Sequence, residues 1–217
     1  CTLACEPPDA WSKQISAIYA PRTPIIQHRR HYICRAMSQD WRSQLPDGYT
    51  LHFIDESLES FENSSMVSGT IKERADVDNP DETAMGYAAV HNGKIIGYCV
   101  IESIFDGAGD VSLYTDGGHR RRGLAWLMSA AIMEYGLAHG LHTIHWDCLT
   151  HNAGSVRTAE KLGLTFLSAY PSYTFLIDPV IHEINRTWGL LNAGQYADAL
   201  VMAQKNIHAA NGSAHAH

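Results

Sequence analysis

The sequence predicts an α/β fold in which helices pack against a mixed β-sheet. From about residue 84 onward the pattern reads β-β-β-α-β-α-β, an order typical of such a sheet. An Asn-Gly pair at 92–93 separates two apolar runs, and Asn-Gly is the strongest short hairpin signal. An uncharged helical stretch also follows directly after a turn rich in arginine.

Composition limits the classes of protein that the chain can belong to. Its 217 residues, 45% of them apolar and 18% charged, suit one sizeable soluble domain or one domain with an appendage. The formal charge of -7 argues against a nucleic-acid partner. No apolar run approaches 20 residues, so we expect no membrane span, and the first residues do not read as a signal peptide. The five Cys lack CxxC spacing, which predicts reduced thiols, no metal site and a cytoplasmic location.

The elements before residue 84 are predicted as follows. Residues 1–45 read as a helical or irregular N-terminal segment, with a helix over 9–20 and a strand of poor periodicity at 25–34. The main domain is expected over 46–178. It opens with a strand at "DGYTLHFID" and continues with one or two helices in "DESLESFENSSMVSGTIKERA". The segment "DVDNPDET" is a loop with a proline and four acids.

The later elements are clearer in the sequence. Three antiparallel strands are predicted across about 84–115, followed by a helix over 121–139 that ends at Gly140. "LHTIHWDCL" is a strand, "NAGSVRTAEKLG" a helix, and "LTFLSAYPSYTFLID" a strand or a pair of strands. Residues 179–217 are expected to form a C-terminal appendage of two helices joined at 192–194, with a disordered end.

The turn "TDGGHRRRGLA" can hold an anion. A strand ends near Thr115 and a helix begins a few residues later, so the first amides of that helix have no intrahelical partner. Gly123 and Ala125 leave room for close approach to the backbone, and arginine forks suit phosphate oxygens. The turn therefore predicts a pyrophosphate cradle. A solvated basic turn that caps a buried helix is the alternative, and the position after a strand favours the cradle.

Two motifs carry a resemblance to the GCN5-related N-acetyltransferases. The family's cofactor loop, Gln/Arg-x-x-Gly-x-Gly/Ala, matches Arg120, Arg121, Arg122, Gly123, Leu124 and Ala125. A second family segment matches Asn152 and Ser155, followed by Glu-Lys-Leu-Gly-Leu at 160–164. The resemblance covers about residues 46–178. Within the family, "IHWDC" and "AEKLG" are similar to the branch of the zwittermicin A resistance acetyltransferase.

The resemblance implies a mostly antiparallel sheet with helices on both faces and acetyl-coenzyme A as the cofactor. In this fold the fourth and fifth strands, here "DVSLYT" and "LHTIHWDCL", splay apart, and the pantetheine arm lies between them. Leu113 and Thr115 would bond that arm through their backbones, with the Leu113 amide polarising the thioester carbonyl. Residues 120–125 would hold the pyrophosphate, and Asn152 and Ser155 would contact the arm from the other side.

The sequence leaves several candidates open for the residues that transfer protons. Family members often place a Tyr just before the Glu-Lys pair as the acid, and here that position is Ala159. Tyr114, Cys148, Tyr170, Tyr173, water or the unaided thiolate remain open as the proton source, although Cys148 also suits a buried structural role. Candidate bases are Glu102, Asp110, His145 and His151. Alternation along "DVSLYT" puts Asp110, Ser112 and Tyr114 on one face, where an Asp110–Tyr114 pair or a solvated edge are both open.

The acceptor is expected to be an amine of a small molecule, with antibiotic inactivation as one such activity. The acids of the 76–83 loop would suit a cationic amine, and an acidic surface would also serve solubility alone. Alternatives are another acyl donor, a peptide or protein amine, and a coenzyme-A-binding module without catalysis whose 180–207 helices dock a partner. The resemblance is compatible with a homodimer.

Overall fold

The computed structural model describes residues 2–4, 14, 17–18, 20, 23–75, 84–176 and 178–213. The chain divides into two compact units. The larger unit comprises His31–Asp147 and Gly154–Leu167. The smaller unit comprises Cys1–Arg30, Cys148–Ala153 and Ser168–His217.

Strands and helices follow one another along the described chain. The strands are Thr2–Ala4 (β1), Ile25–Cys34 (β2), Tyr49–Phe53 (β3), Met85–His91 (β4), Lys94–Phe105 (β5), Ala108–Thr115 (β6), Thr143–Leu149 (β7) and Thr165–Thr174 (β8). The α-helices are Ser68–Ala75 (α1), Leu124–Ala138 (α2), Ala153–Lys161 (α3), Pro179–Asn192 (α4) and Tyr196–Ser213 (α5). Short 3₁₀ turns occupy Arg42–Gln44, Glu56–Ser60, Ser64–Met66 and Gly117–His119.

The sheet of the larger unit is mixed, as the sequence predicts. Its strand order is β8-β2-β7-β6-β5-β4-β3, to which β8 contributes Thr165–Leu167 and β2 contributes His31–Cys34. β3, β4, β5 and β6 pair antiparallel in succession, whereas β6 and β7 pair parallel. The three antiparallel strands expected over 84–115 are β4, β5 and β6.

Two hairpin turns set the register of these three strands. Asn92 and Gly93 both have positive φ, 50° and 77°, as a tight turn between β4 and β5 requires. Asp106 and Gly107, with φ of 47° and 66°, do the same between β5 and β6. The predicted hairpin at 92–93 is therefore confirmed, and the second turn consists of the first two residues of "DGAG".

Helices cover both faces of this sheet, which confirms the predicted fold class. On one face α2 is buried along nearly its whole length, and the Ser129 hydroxyl of α2 lies 3.4 Å from the Cys99 thiol of β5. On the other face α1 and the 3₁₀ turns before it pack on the sheet. That second cluster comprises Ile54, Leu58, Val67, Ile71, Ala88, Val90, Ile95 and Val100.

The predicted start of the long helix was wrong by three residues. The helix was expected to begin at Arg121, and α2 begins at Leu124 because Arg121 and Gly123 have φ of 61° and 82°. A left-handed backbone cannot continue an α-helix. Within the predicted helix over 9–20, positions 14, 17 and 18 are helical and Ala20 is in a turn. The other positions lie outside the described residues, as does the predicted loop over 76–83.

The described residues of the smaller unit include β1, parts of β2, β7 and β8, and the helices α4 and α5. β1 pairs antiparallel with β8, Thr2 opposite Thr174, and the Ser172 hydroxyl donates to the Gln27 carbonyl of β2. His182 of α4 is buried and lies between the Thr23 carbonyl, 2.8 Å from Nε2, and the Leu176 amide, 3.2 Å from Nδ1. α4 and α5 are the two helices expected after residue 179, and Gly194 with φ of 75° separates them.

Candidate active site

The parallel pairing between β6 and β7 is short. It comprises Ala108 with Thr143, Gly109 with Ile144, and Asp110 with His145. β6 continues to Thr115, so its edge beyond Asp110 has no pairing with β7 in this part of the described chain. Unpaired backbone N–H and C=O groups at such an edge are available to an extended ligand. The predicted splay of these two strands is thus present.

The two faces of β6 have different chemistry. Val111, Leu113 and Thr115 lie opposite Ile101, Cys99 and Gly97 of β5, on the face that α2 covers. Asp110, Ser112 and Tyr114 lie opposite Glu102, Val100 and Tyr98 on the other face. The alternation predicted for "DVSLYT" is confirmed, and the polar face is directed away from α2.

Residues 116–123, which we call the arginine turn, connect β6 to α2. Asp116 accepts a hydrogen bond from the Gly118 amide at 2.9 Å, and the His119 amide donates to the Asp116 carbonyl. The Arg120 Nε–H donates to the Thr115 carbonyl at 3.0 Å. One of the three arginines therefore stabilises the turn itself.

The other two arginines lie beside the start of α2. Arg121 and Arg122 are exposed, and neither forms an ion pair with a described residue. No side chain caps α2 at Gly123, and its first turn has no acidic residue. A Cβ built on Gly123 would meet no atom within 4 Å, so the space over these amides is open. Free amides, the helix dipole and two cations together favour an anion.

Two buried polar atoms flank the arginine turn. Among the described side chains, the Thr115 hydroxyl and the Trp126 indole N–H are buried without a hydrogen-bond partner. Unpaired buried donors are rare in folded proteins because each one costs free energy. Thr115 ends β6 and Trp126 lies in the first turn of α2, so both belong to the segment predicted to hold the cofactor.

The two carboxylates proposed as bases lie side by side. Glu102 of β5 is directly opposite Asp110 of β6, and both are exposed. The β5–β6 register is interrupted just after Glu102, where Ser103 has φ of 54°. Such irregularities often lie next to active sites and redirect a side chain. Asp110 and Tyr114 share this face, but four residues of strand separate them by about 13 Å, so they do not act as a contact pair.

Tyr114 is the exposed hydroxyl of this face. Its side chain is 40% exposed, and its ring stacks on Tyr98 with centroids 6.0 Å apart. Ala159, at the position where family members often have a Tyr, lies fully buried in α3. No proton donor is therefore available at position 159, as the sequence predicts.

The remaining predicted site residues fall into both units. In the larger unit, the Trp146 indole N–H donates to the Ser155 hydroxyl oxygen at 3.1 Å, which orients that side chain. In the smaller unit, Cys148 is buried with 5% of its surface exposed, and Asn152 is exposed just before α3. The predicted burial of Cys148 is confirmed, and its thiol is not in a disulfide. Contact of these residues with a cofactor stays a prediction.

Sequence reasoning did not identify a cluster that holds the arginine turn. The Tyr49 hydroxyl of β3 lies 2.9 Å from Nδ1 of His119, and Tyr49 is only 7% exposed. The Tyr49 ring stacks on His91 of β4 with centroids 4.5 Å apart. His119 was noticed only as part of a basic run, since nothing in the sequence links it to a tyrosine 70 positions earlier.

A second cluster fixes α2 from the outside. Glu134 accepts hydrogen bonds from the Trp41 indole at 2.9 Å and from Arg42 at 3.1 Å, and it pairs with the Arg42 guanidinium. The Arg42 hydrogen bond, followed by the one from Trp41, lowers the pKa of the Glu134 carboxyl.

On the inner side of α2, burial raises the pKa of the Cys99 thiol to about 12, so that thiol stays protonated and unreactive.

The protein is thus an α/β protein in which β6 and β7 separate after a short parallel pairing and an uncapped helix, α2, begins after β6. The model of the GNAT acetyltransferase family matches residues 5–173, and the chain belongs to that family. Among curated proteins, it is 25% identical over 130 residues to the uncharacterized N-acetyltransferase YdfB of Bacillus subtilis. That match covers 60% of this chain and 49% of the relative, so the chain spans about half of that protein's length.

Solved structures show the same fold. A GCN5-related N-acetyltransferase-like protein from Streptococcus suis has a TM-score of 0.57 at 22% identity, covering 77% of this chain and 68% of the other. A tandem GNAT protein from the clavulanic acid biosynthesis pathway has a TM-score of 0.55 at 16% identity, covering 82% and 63%. At these identities the likeness concerns the fold alone. The narrower zwittermicin-like branch stays a prediction.

Among the helices that the structure describes, none has both the length and the apolar character needed to cross a membrane.

Proposed function

We propose that this chain is an N-acetyltransferase that moves an acetyl group from acetyl-CoA to an amine of a small molecule. One observation carries the proposal: the β6–β7 pairing ends at Asp110–His145, on the strand that leads into the uncapped start of α2 and its two exposed arginines. Family membership supports the general class of reaction. The donor, the acceptor, a cytoplasmic location and any role in antibiotic inactivation are parts of this proposal.

The residues present fit coenzyme A. The open space over Gly123 and the unpaired Thr115 hydroxyl are features that an anionic, hydrogen-bonding ligand would satisfy. The amides at the start of α2, with Arg121 and Arg122, would hold the pyrophosphate. The backbone of β6 between Asp110 and Thr115, including Leu113, would bond the pantetheine arm, and Ser155 and Asn152 would lie along it. Bound acetyl-CoA supplies the acetyl group as a reactive thioester.

Side chains of the protein would remove a proton from the amine and donate one to the leaving thiolate. Glu102 of β5 and Asp110 of β6 are exposed carboxylates on the same face of the sheet and can receive a proton or bind a cation. Tyr114 is the exposed hydroxyl on that same face, and we propose it as the donor to the departing thiolate. Cys148 remains the second candidate for that role. The Leu113 amide would stabilise charge that develops on the carbonyl oxygen.

The test has two stages. Melting temperature is first followed against acetyl-CoA, since a ligand at 100-fold over its Kd should add roughly 2.7 kcal/mol to the free energy of unfolding. Thiol release is then measured across a panel of small amines. No thermal shift would overturn the assignment of the cofactor.

A non-catalytic coenzyme-A-binding module is the second candidate, because Ala159 lacks the usual acid and is fully buried. A thermal shift with no amine-dependent thiol release would favour it.

A further inference from the structure

Four titratable side chains form a row across four neighbouring strands of the larger unit. Glu102 of β5 is opposite Asp110 of β6, and Asp110 is opposite His145 of β7. Residues directly opposite one another share a face of a sheet, so the first three lie on one face. The fourth is His31 of β2, whose Nε2 lies 2.9 Å from Nδ1 of His145. We call these residues the acceptor row.

The acceptor row lies at the point where β6 and β7 stop pairing. His145 and Asp110 form the last pair before β6 and β7 separate. The apolar cluster that covers this face includes Val100, and Glu102, two residues further along β5, is exposed. His145 and His31 are half-buried, so a small molecule would meet exposed carboxylates at one end and a partly shielded imidazole at the other.

The hydrogen bond between His31 and His145 constrains the tautomer of each ring. At 2.9 Å one ring nitrogen must carry the hydrogen and the other must accept it. When His145 donates from Nδ1 to His31, its Nε2 is left as a free lone pair, which is the basic atom of a neutral imidazole. Two imidazolium rings could not share this bond, because both facing nitrogens would then carry hydrogens.

The charged groups around His145 favour a cation. Asp110 is its partner on β6, and Asp147 follows two residues later on the same face of β7. Glu102 lies one strand further. On β2 the neighbour is His31, which Arg29 precedes by two residues along the strand. Carboxylates of β5, β6 and β7 thus share one face of the sheet with His145.

We propose that Glu102 and Asp110 bind the acceptor as a protonated aliphatic amine and that His145, positioned by His31, removes its proton. This inference rests on the proposed acetyltransferase function. One proton of the ammonium passes to His145 and then to solvent. The neutral nitrogen forms a bond to the acetyl carbon as the carbon–sulfur bond breaks. Tyr114, proposed above as the acid, would give its proton to the leaving sulfur and recover the second proton that the new amide nitrogen loses. Ammonium plus thioester thus gives amide, thiol and one proton.

The proposal selects a chemical class of acceptor. An aliphatic amine is a cation at neutral pH, needs the two carboxylates for binding and needs a base before it can attack. An aromatic amine such as aniline is uncharged at that pH and needs neither. The acceptor row therefore predicts a preference for alkyl amines and diamines over anilines, and that preference should depend on Asp110.

The experiment compares 1,4-diaminobutane and aniline with a thiol-release readout. Asp110→Asn should raise KM for the diamine by roughly 10-fold to 100-fold, the range of one lost charge pair. Its KM for acetyl-CoA and its cofactor-induced thermal shift should not change. His145→Gln should lower kcat by about 100-fold, the lower end of general-base effects, and should remove the acidic limb of the pH–rate profile.

Two further variants distinguish a role of His31 in positioning His145 from a general effect on folding. His31→Gln should shift the acidic limb in pH with only a modest loss of kcat, a change that a merely structural role would not produce. His52→Gln, on β3 at the other end of the strand order, is the matched control and should keep the wild-type profile.

The following results would overturn the proposed roles of Asp110 and His145. An unchanged diamine KM in Asp110→Asn, or an intact acidic limb in His145→Gln, overturns the proposal. A cofactor-induced thermal shift without turnover of any alkyl amine overturns it while leaving the cofactor site in place. Failure of acetyl-CoA to shift the melting temperature overturns the proposed function and this inference together.

Discussion

The arginine turn and the acceptor row belong to the same unit and meet the same strand, β6, yet they are built in opposite ways. The arginine turn is local, since its Asp116 cap, its positive-φ residues and its cations all lie within residues 116–123. The acceptor row takes one side chain from each of four strands, and 114 positions separate His31 from His145. A substitution in the arginine turn therefore acts on neighbouring residues of one segment, whereas a substitution in the acceptor row acts across strands that are far apart in the sequence.

The largest expected effect is on the arginine turn, where a substitution at Gly123 tests the proposed binding of coenzyme A. Gly123→Glu should weaken coenzyme A binding by at least about 100-fold, because a carboxylate over the first amides of α2 repels the pyrophosphate and neutralises the helix dipole. Isothermal titration with coenzyme A measures this change.

Gly123→Gln is the matched control for that variant. It has the same length and the same strain at φ of 82°, so it reports everything except the charge. Equal affinities for the Glu and Gln variants would mean that no anion binds at this helix start.

A smaller effect tests whether the arginine turn is held by distant residues as well. Tyr49→Phe removes the hydroxyl 2.9 Å from Nδ1 of His119 and keeps the ring that stacks on His91. We expect coenzyme A binding to weaken by about 5-fold, the equivalent of one hydrogen bond of roughly 1 kcal/mol, with kcat unchanged at saturating cofactor. Steady-state kinetics with varied acetyl-CoA measures it.

Tyr87→Phe serves as its control, because Tyr87 is a half-buried tyrosine of the next strand whose ring contacts are Trp41, Phe53 and Tyr135. If both Phe variants weaken cofactor binding equally, the Tyr49–His119 bond does not position the turn.

The local features of the molecule are those that the sequence predicts well. The hairpin at Asn92-Gly93, the break between α4 and α5 near Gly194 and the turn between β6 and α2 depend on neighbouring residues only. The error at the start of α2 is also local. Arg121 adopts a left-handed conformation that arginine rarely takes, so propensity alone assigned it to the helix.

The long-range features could not be derived in this way. β2 shows poor periodicity in the sequence, and nothing in residues 25–34 indicates that the strand lies between β7 and β8. The His31–His145 contact and the Tyr49–His119 contact depend on that kind of pairing. Glu102 and Asp110 could be named from the sequence as candidates, but only the β5–β6 register places them side by side.

The smallest expected effect concerns a contact that should influence neither site. Glu134→Gln weakens the Arg42 pair and keeps an acceptor for the Trp41 indole on the outer side of α2. The pair is largely exposed, so we expect only about 1–3 °C of melting temperature to be lost at pH 7. The folded state lowers the pKa of Glu134 below its ordinary value of 4.5, so the stabilisation is present above that pH and is lost as the pH falls through the lowered pKa. Melting curves of both proteins from pH 7 to pH 3 should therefore converge at the acidic end, with coenzyme A affinity equal at pH 7. A difference in melting temperature that persists at pH 3 would show that Glu134 contributes through packing rather than through its charge.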